Sequence, residues 1–513
     1  MRYTIVFSLL ILAIFVVSIP VFASPPGWED DLGITSDPSF SSFLKLTLDV
    51  QENVHLAWQD NRDGNAEIYY KKLNNTGSSL TLDIRLTSDQ AVSFYPSVSR
   101  DPNGNIHVVW LDDRDGNSEI YYTKLDNSGS TLVDDTRLTT DSSDSALPSI
   151  ASDMDGNLHL AWIDGRDGNA EIYYTKLDNN GGPVSSEIRL TSDAAISWQP
   201  AVTVDLNNNV HVIWLDDRDG NSEIYYTKLD NNGNTLVDDT RLTVDPADSF
   251  YPAISRDQFN FLHVVWLDDR DGNSEIYYTK LDNNGNTLVD DTRLTTDIGI
   301  SWFPAVANDI SGGVHVVWVD NRNGNPEIYY KKLHNAGTVV VDDTRLTDNL
   351  ADSFLPVISS DLYSGLQVLW EDSRDANEEI YYKRSFRPSV TIVGLPNIGS
   401  TVEFPLNDRF NPSMQYAFVM SFGTSPGIPL SDGRVIPLNP DPLLLLSLQF
   451  PPAIGLRNSI GLLNAQGAST VYLDIPNIPE LRGITLYAAF VLLNSALPVP
   501  FVSISNAVPI SFV

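Results

Sequence analysis

Short apolar runs separated by dense polar turns recur along most of this chain. In one stretch, Pro96 to Ser99 opens a strand and Asp101-Pro102-Asn103-Gly104-Asn105 is turn chemistry. Ile106 to Leu111 is then an apolar strand that holds Trp110. Asp112 to Asn117 turns again, and Glu119 to Leu125 is a third strand rich in Tyr and Ile. Asp126 to Gly129 makes a third turn, and a fourth strand runs into Arg137-Leu138-Thr139. In the second strand Val108 and Trp110 point one way, His107 and Val109 the other. Both faces are largely apolar, as in a sheet sandwiched between two others. No segment of this array carries a helical period over ten or more residues.

The pattern is a repeat. Seven tryptophans, Trp58, Trp110, Trp162, Trp214, Trp266, Trp318 and Trp370, are spaced by 52 residues without insertion or deletion. An Asp follows each Trp by two positions and an Arg by four, as in Asp112 and Arg114, and Glu-Ile-Tyr-Tyr then appears in all seven units. Four short antiparallel strands per unit predict one propeller blade. Arg-Leu-Thr occurs six times, from Arg85 to Arg345, and the seventh unit breaks off after Lys383 without it. Gly33-Ile34-Thr35-Ser36-Asp37 lies 52 residues before Arg85-Leu86-Thr87-Ser88-Asp89. The expected fold is therefore all-β: a seven-bladed β-propeller over residues 24–387, closed by an N-terminal strand that supplies the missing fourth strand and removes the exposed edges.

The two ends read differently. Arg2, the uncharged and mostly apolar run Thr4 to Val17, Pro20 and Val21-Phe22-Ala23 read as a signal peptide over 1–23, with a mature start near Ser24. This predicts a secreted, cell-surface or periplasmic protein with no membrane span after cleavage, since a span needs about 20 apolar residues. Residues 388–513 contain no Trp, Lys or His, and their short apolar runs are broken by Pro, Gly and Asn. A small C-terminal β-sandwich, serving as a docking or spacer domain, is expected there.

Charge narrows the partners. The 67 Asp+Glu against 32 Lys+Arg leave a formal charge of −35, which repels phosphate backbones and argues against nucleic acid. With 42% hydrophobic residues the chain is not a disordered acidic tail. Without cysteine there is no disulfide or thiolate chemistry, so ring closure has to do the stapling.

Asp113-Arg114-Asp115-Gly116-Asn117-Ser118-Glu119-Ile120-Tyr121, followed by Asp126 to Gly129 and Arg137-Leu138-Thr139, resembles the propeller repeat of TolB-like proteins. The likeness covers roughly residues 33–387 and implies the propeller fold. It departs from TolB itself in having no preceding α/β domain, a longer unit and seven blades instead of six, so the TolB role is not carried over. The turn is also distantly similar to the Asp-box of sialidase-type propellers, without its Ser-x-Asp-x-Gly-x-Thr-Trp order.

Three sets of residues are candidates for chemistry. Asp113, Asp115, Asn117 and Glu119, with equivalents in other blades, put oxygen ligands around a glycine as calcium loops do; ordinary turn chemistry accounts for the same residues. Phe94, Tyr95, Trp198, Phe250, Tyr251, Trp302, Phe303 and Phe354 precede the blade-opening Pro or stand close to it. They should share one end of the disc with the Asp/Arg turns, as an aromatic platform for sugar rings or as wedges between blades. His55, His107, His159, His211, His263 and His315 precede the tryptophans by three; spread one per blade, they read as structural. Glu371 and Glu378 are irregular acids that loop variation explains. With no catalytic constellation standing out, the leading expectation is a non-catalytic propeller that binds a glycan or protein ligand through one face. The alternatives are a structural surface or matrix protein and a glycan-cleaving enzyme of sialidase-like type.

Overall fold

A computed structural model of the chain describes residues 24–431, 434–495, 497 and 500–513; the expected signal peptide lies outside the described residues. The repeats form seven four-stranded antiparallel sheets, the pattern of a β-propeller. The second sheet is representative, with strands Ser93–Arg100, Ile106–Asp112, Glu119–Leu125 and Thr131–Arg137. The two middle strands are buried along their whole length, while the fourth is mostly exposed. First strands of successive sheets pack on one another, and Ser41–Leu48 of the first sheet packs on Ser353–Ser360 of the seventh. First strands are therefore innermost and fourth strands outermost.

The repeated polar residues form one network in each sheet. The Asp112 carboxylate accepts hydrogen bonds from Trp110 Nε1 (3.0 Å), Ser93 Oγ (3.0 Å), Arg114 N (3.0 Å) and Arg114 Nε (2.8 Å). The Arg114 guanidinium lies over the Tyr121 ring at 4.2 Å and pairs with Asp89 and Asp135. This explains why Trp, Asp, Arg and Tyr keep their spacing: each holds the others in place. Burial by itself would raise the Asp112 pKa; the Arg114 and Trp110 hydrogen bonds outweigh it, and the carboxyl sits below its usual range. Arg137-Leu138-Thr139 locks the third strand, with Arg137 on Glu119 and Ile120 N donating to Thr139 Oγ1 at 2.8 Å.

The N-terminal segment takes the fourth place in the seventh sheet. Gly33 pairs with Tyr381, as Arg85 pairs with Tyr69 in the first sheet, so the register is the one the 52-residue offset predicts. Ile380 N donates to Thr35 Oγ1 at 2.8 Å, the bond Thr139 makes in the second sheet. Asp31 pairs with Arg374 and Lys383, and Glu29 with Arg384.

A second set of bonds joins neighbouring sheets at the hairpins between third and fourth strands. Lys72 Nζ donates to Asn127 O of the second sheet at 2.9 Å, and Arg384 Nη1 of the seventh sheet donates to Asn75 O of the first at 2.7 Å. The glycine of each hairpin lies on a neighbouring tyrosine. At Gly129, φ is +86° and a Cβ would stand 2.8 Å from Tyr70 Cε1. The seventh sheet has no such hairpin, because its fourth strand comes from the N-terminus. The C-terminal region fills the gap: Lys332 Nζ donates to Phe410 O and Asn411 Oδ1, both at 3.1 Å, and Phe410 packs edge-on against Trp28 and Tyr330.

Residues 388–513 contain two larger antiparallel sheets, each with a long central pair: Thr401–Asn407 with Ala468–Asp474, and Gln415–Ser421 with Thr485–Leu493. Phe404 and Leu406 of one share a core with Phe418 and Phe490 of the other. The helix Pro442–Gln449 departs from the all-β expectation. Asp441 caps it by accepting from Leu443 N and Leu444 N, and Pro442 takes its first turn. At eight residues it is too short to display a helical period. Among the described residues, no helix is long and apolar enough to cross a membrane.

Candidate functional site

The eight singled-out aromatics all lie at the start of innermost strands, just past a buried serine such as Ser93. Each such strand carries an irregularity there. In the second sheet Phe94 pairs with Leu111, Ser97 pairs with Val109, and the two residues between are out of register. The residue after the Phe94 position takes a left-handed backbone in all seven strands, with φ +49° at Tyr95, +52° at Tyr251 and +51° at Phe303. For a non-glycine residue this backbone is uncommon, and its recurrence turns these side chains away from the ladder toward their neighbours.

The side chains so turned meet from blade to blade. Phe43 and Tyr95 stand edge-on with centroids 4.6 Å apart, as do Tyr251 and Phe303. Gln199 accepts from Tyr251 N at 3.3 Å. Residues 43, 95, 147, 199, 251, 303 and 355 therefore make a collar around the inner strands, with Phe94, Trp198, Phe250, Trp302 and Phe354 in the adjoining layer. None of the eight aromatics is fully buried, and Trp198 is 42% exposed, Tyr95 and Tyr251 38% each. Trp302, Phe303 and Phe354 also pack on the core between the sixth and seventh sheets, so they partly serve as wedges.

The Asp/Arg turns lie at this same end. Asn117 Nδ2 donates to Ser143 O at 2.9 Å, in the link that leads to the next innermost strand. The four calcium-ligand candidates are engaged within the turn. Asp113 Oδ1 accepts from Ser118 Oγ at 2.7 Å, and Asp115 accepts from Tyr121 OH and pairs with Arg137 at 3.1 Å. Asn117 donates to Glu119 at 2.9 Å, and Glu119 is fully buried against Arg137. No group of three or more His, Asp or Glu is arranged to hold a metal ion among the described residues. The histidines lie elsewhere, buried on the second strands: His107 Nδ1 is 2.9 Å from Tyr122 OH and Nε2 faces Asp101 at 3.4 Å. Burial lowers the His107 pKa, against the Asp101 hydrogen bond that raises it.

One feature of the collar has no counterpart in the repeat. Beside it is a cavity of about 350 Å³ lined by Phe40, Ser42, Phe303, Phe354, Glu371 and Glu378, among others. Both acids depart from the repeat: Glu371 stands where the second unit has Leu111, and Glu378 where it has Ser118. Glu371 is 5% exposed, and its Oε1 accepts from Phe43 N at 2.6 Å. Burial, together with the charge of Glu378 and against the Phe43 hydrogen bond, pushes its pKa up to about 8. The signal was present in the sequence: two acids at positions where the other blades carry uncharged side chains. Their meeting in one cavity required the fold.

A model of a BNR repeat-containing family matches residues 44–241. A TolB homologue from Chlorobaculum tepidum is 34% identical over 79 residues, which is 15% of this chain and only 16% of that relative's length. Among solved structures, a fungal alcohol oxidase in complex with copper aligns with 94% of this chain and 99% of its own, at 14% identity and a TM-score of 0.46. The polysaccharide lyase Uly1 aligns over 66% of this chain and 89% of its own, at 10% identity and a TM-score of 0.45. The intramolecular trans-sialidase from Ruminococcus gnavus aligns over 67% of this chain and 94% of its own, at 10% identity and a TM-score of 0.38.

Proposed function

We propose that this protein is a secreted, seven-bladed propeller that binds carbohydrate at the collar end of its ring without cleaving it. The ring is closed by the N-terminal strand, and the C-terminal region is a small β-sandwich fastened to it through Phe410 and Asn411. Support for closure comes from Gly33 in register with Tyr381 and from Arg384 reaching Asn75 across the first-to-last seam. Export rests on the signal-like pattern of residues 1–23.

The observation that carries the binding assignment is the collar. Aromatic side chains from different blades meet edge to face at one end of the ring, and Tyr95, Trp198 and Tyr251 stay substantially exposed. Exposed rings held rigidly beside polar turns offer C–H stacking for sugar faces and hydrogen bonds for hydroxyls. Near-identical units, as in Trp110-Leu111-Asp112-Asp113 and Trp214-Leu215-Asp216-Asp217, favour several equivalent contacts over one centre. A glycan-cleaving enzyme is the second reading, favoured by Glu371 and Glu378 sharing one cavity. A glycan array and an activity screen on the same preparation separate the two. Binding without turnover is the expected result; turnover selects the enzyme, and neither binding nor turnover rejects both.

A further inference from the structure

We propose that the cavity holding Glu371 and Glu378 is a subsite for an organic ammonium group, and that it selects glycans with free amines, such as de-N-acetylated hexosamine units. The carbohydrate part of this inference rests on the proposed function of the collar.

The case starts from an imbalance of charge and hydrogen bonding. Several buried carboxylates at repeat positions have cations: Asp112 has Arg114, Glu119 has Arg137, and Asp309 has Lys332, while Glu379 of the seventh sheet has none among the described residues. The cavity is lined by two carboxyl groups and no Lys or Arg. Glu371 accepts one hydrogen bond, from Phe43 N, and Glu378 Oε2 is shielded from solvent with no hydrogen-bond partner among the described residues. Buried acceptors left this way are costly and call for donors from outside the chain. Apart from Ser42, the rest of the lining is aromatic and aliphatic, with Phe40, Phe303 and Phe354 around the two acids.

An alkylammonium answers all three features. It brings three N–H donors, a positive charge for the carboxylates, and a cation for the faces of the Phe rings. A hydroxyl brings one donor and no charge. Burial holds a proton on Glu371 in the free protein, and that proton is released when an ammonium enters, so charge balances. The cavity volume of about 350 Å³ takes one sugar ring with its substituents. Phe303 and Leu355 belong to the collar and also line this cavity, so a glycan stacked on the collar can deliver a ring into it. The chain's charge of −35 favours approach of a cationic polymer over a neutral or acidic one.

The test uses the mature full-length protein and calorimetric titration at mildly acidic pH, where the sugar amine is charged. The probes are glucosamine oligomers with free amines, their N-acetylated counterparts, glucose oligomers and an oligolysine peptide. The variants are Glu378→Ser and Glu371→Leu, which restore residues that the second blade carries at these positions and should therefore fold; thermal melts check this. The expected result is at least tenfold tighter binding of free-amine oligomers than of acetylated ones, lost in either variant, with weak binding of neutral oligomers unchanged. Equal affinity for free-amine and acetylated oligomers overturns the amine subsite and leaves the carbohydrate reading standing. No binding of any oligosaccharide overturns both. Oligolysine bound through the same two glutamates, with no sugar bound, moves the ammonium to a protein ligand and overturns the glycan assignment, and cleavage of any probe overturns the purely recognitive role.

Discussion

Replacing Glu371 by Gln should make this protein more stable as the pH rises, relative to wild type. In the fold Glu371 titrates near 8, and its usual value is 4.5. Between those values the unfolded chain has lost the proton and the folded chain keeps it. Wild-type stability therefore falls with rising pH across this window, by about 1.4 kcal/mol per pH unit at the steepest. Up to neutral pH the accumulated cost is on the order of 3 kcal/mol. Glutamine keeps the shape and can accept the Phe43 hydrogen bond through its amide oxygen, but has no proton to lose. The seven sheets from Leu32 to Arg384 span roughly 350 residues. At about 2.1 cal/mol/K per residue its unfolding entropy is roughly 0.7 kcal/mol/K, so 3 kcal/mol corresponds to a Tm shift of about 4 °C. Differential scanning calorimetry of both proteins from pH 5 to pH 8 reads this as a gap in Tm that widens with pH. Parallel curves would refute the claim that a buried, proton-holding carboxyl faces this cavity.

Other outcomes follow from the same structure. Trp28, 2% exposed and in edge contact with Tyr330 and Phe410, ties the N-terminal segment to both the sixth sheet and the C-terminal region; Trp28→Ala should cost about 3–5 kcal/mol, read as a lowered Tm, and an unchanged Tm would count against that junction. The aspartates from Asp60 to Asp372 that follow the tryptophans all have lowered pKa values, because Arg and Trp hydrogen bonds outweigh burial. Their contribution is complete above the usual value of 3.8 and is lost below it, so the Tm should drop steeply once the pH falls under about 4; a flat acid limb would contradict the network. Millimolar calcium should leave the Tm unchanged, since Asp113, Asp115, Asn117 and Glu119 are engaged within the turn; a saturable rise would assign calcium to it.

The four-stranded unit and its boundaries were legible in the sequence because the repeat states the same pattern seven times. Turn residues, the apolar run around each Trp and the Glu-Ile-Tyr-Tyr strand each mark a local preference. The pairing of Gly33 with Tyr381 could also be read, because a missing Arg-Leu-Thr at one end matched a surplus segment at the other. The collar was legible only as a list of aromatics. The left-handed residue that turns Tyr95 and Tyr251 toward their neighbours is a backbone property that Tyr does not signal, unlike glycine. Phe43 was missed for that reason: it stands at the Tyr95 position but does not border a proline. Glu371 and Glu378 were visible as departures from the repeat, yet their shared cavity depends on the seventh sheet packing on the first. The plug formed by Phe410 and Asn411 depends on contacts between distant segments, and no local pattern announces it.

The most direct test of collar binding is a calorimetric titration of the best glycan from an array against wild type, Tyr95→Ala, Trp198→Ala and, as a control, Leu132→Ala. Leu132 is 53% exposed on an outermost strand, away from the collar. Loss of one stacking ring should weaken binding by about tenfold, near 1.4 kcal/mol. That loss in Tyr95→Ala and Trp198→Ala, with Leu132→Ala equal to wild type, is the predicted result. Wild-type affinity in both collar variants would contradict it.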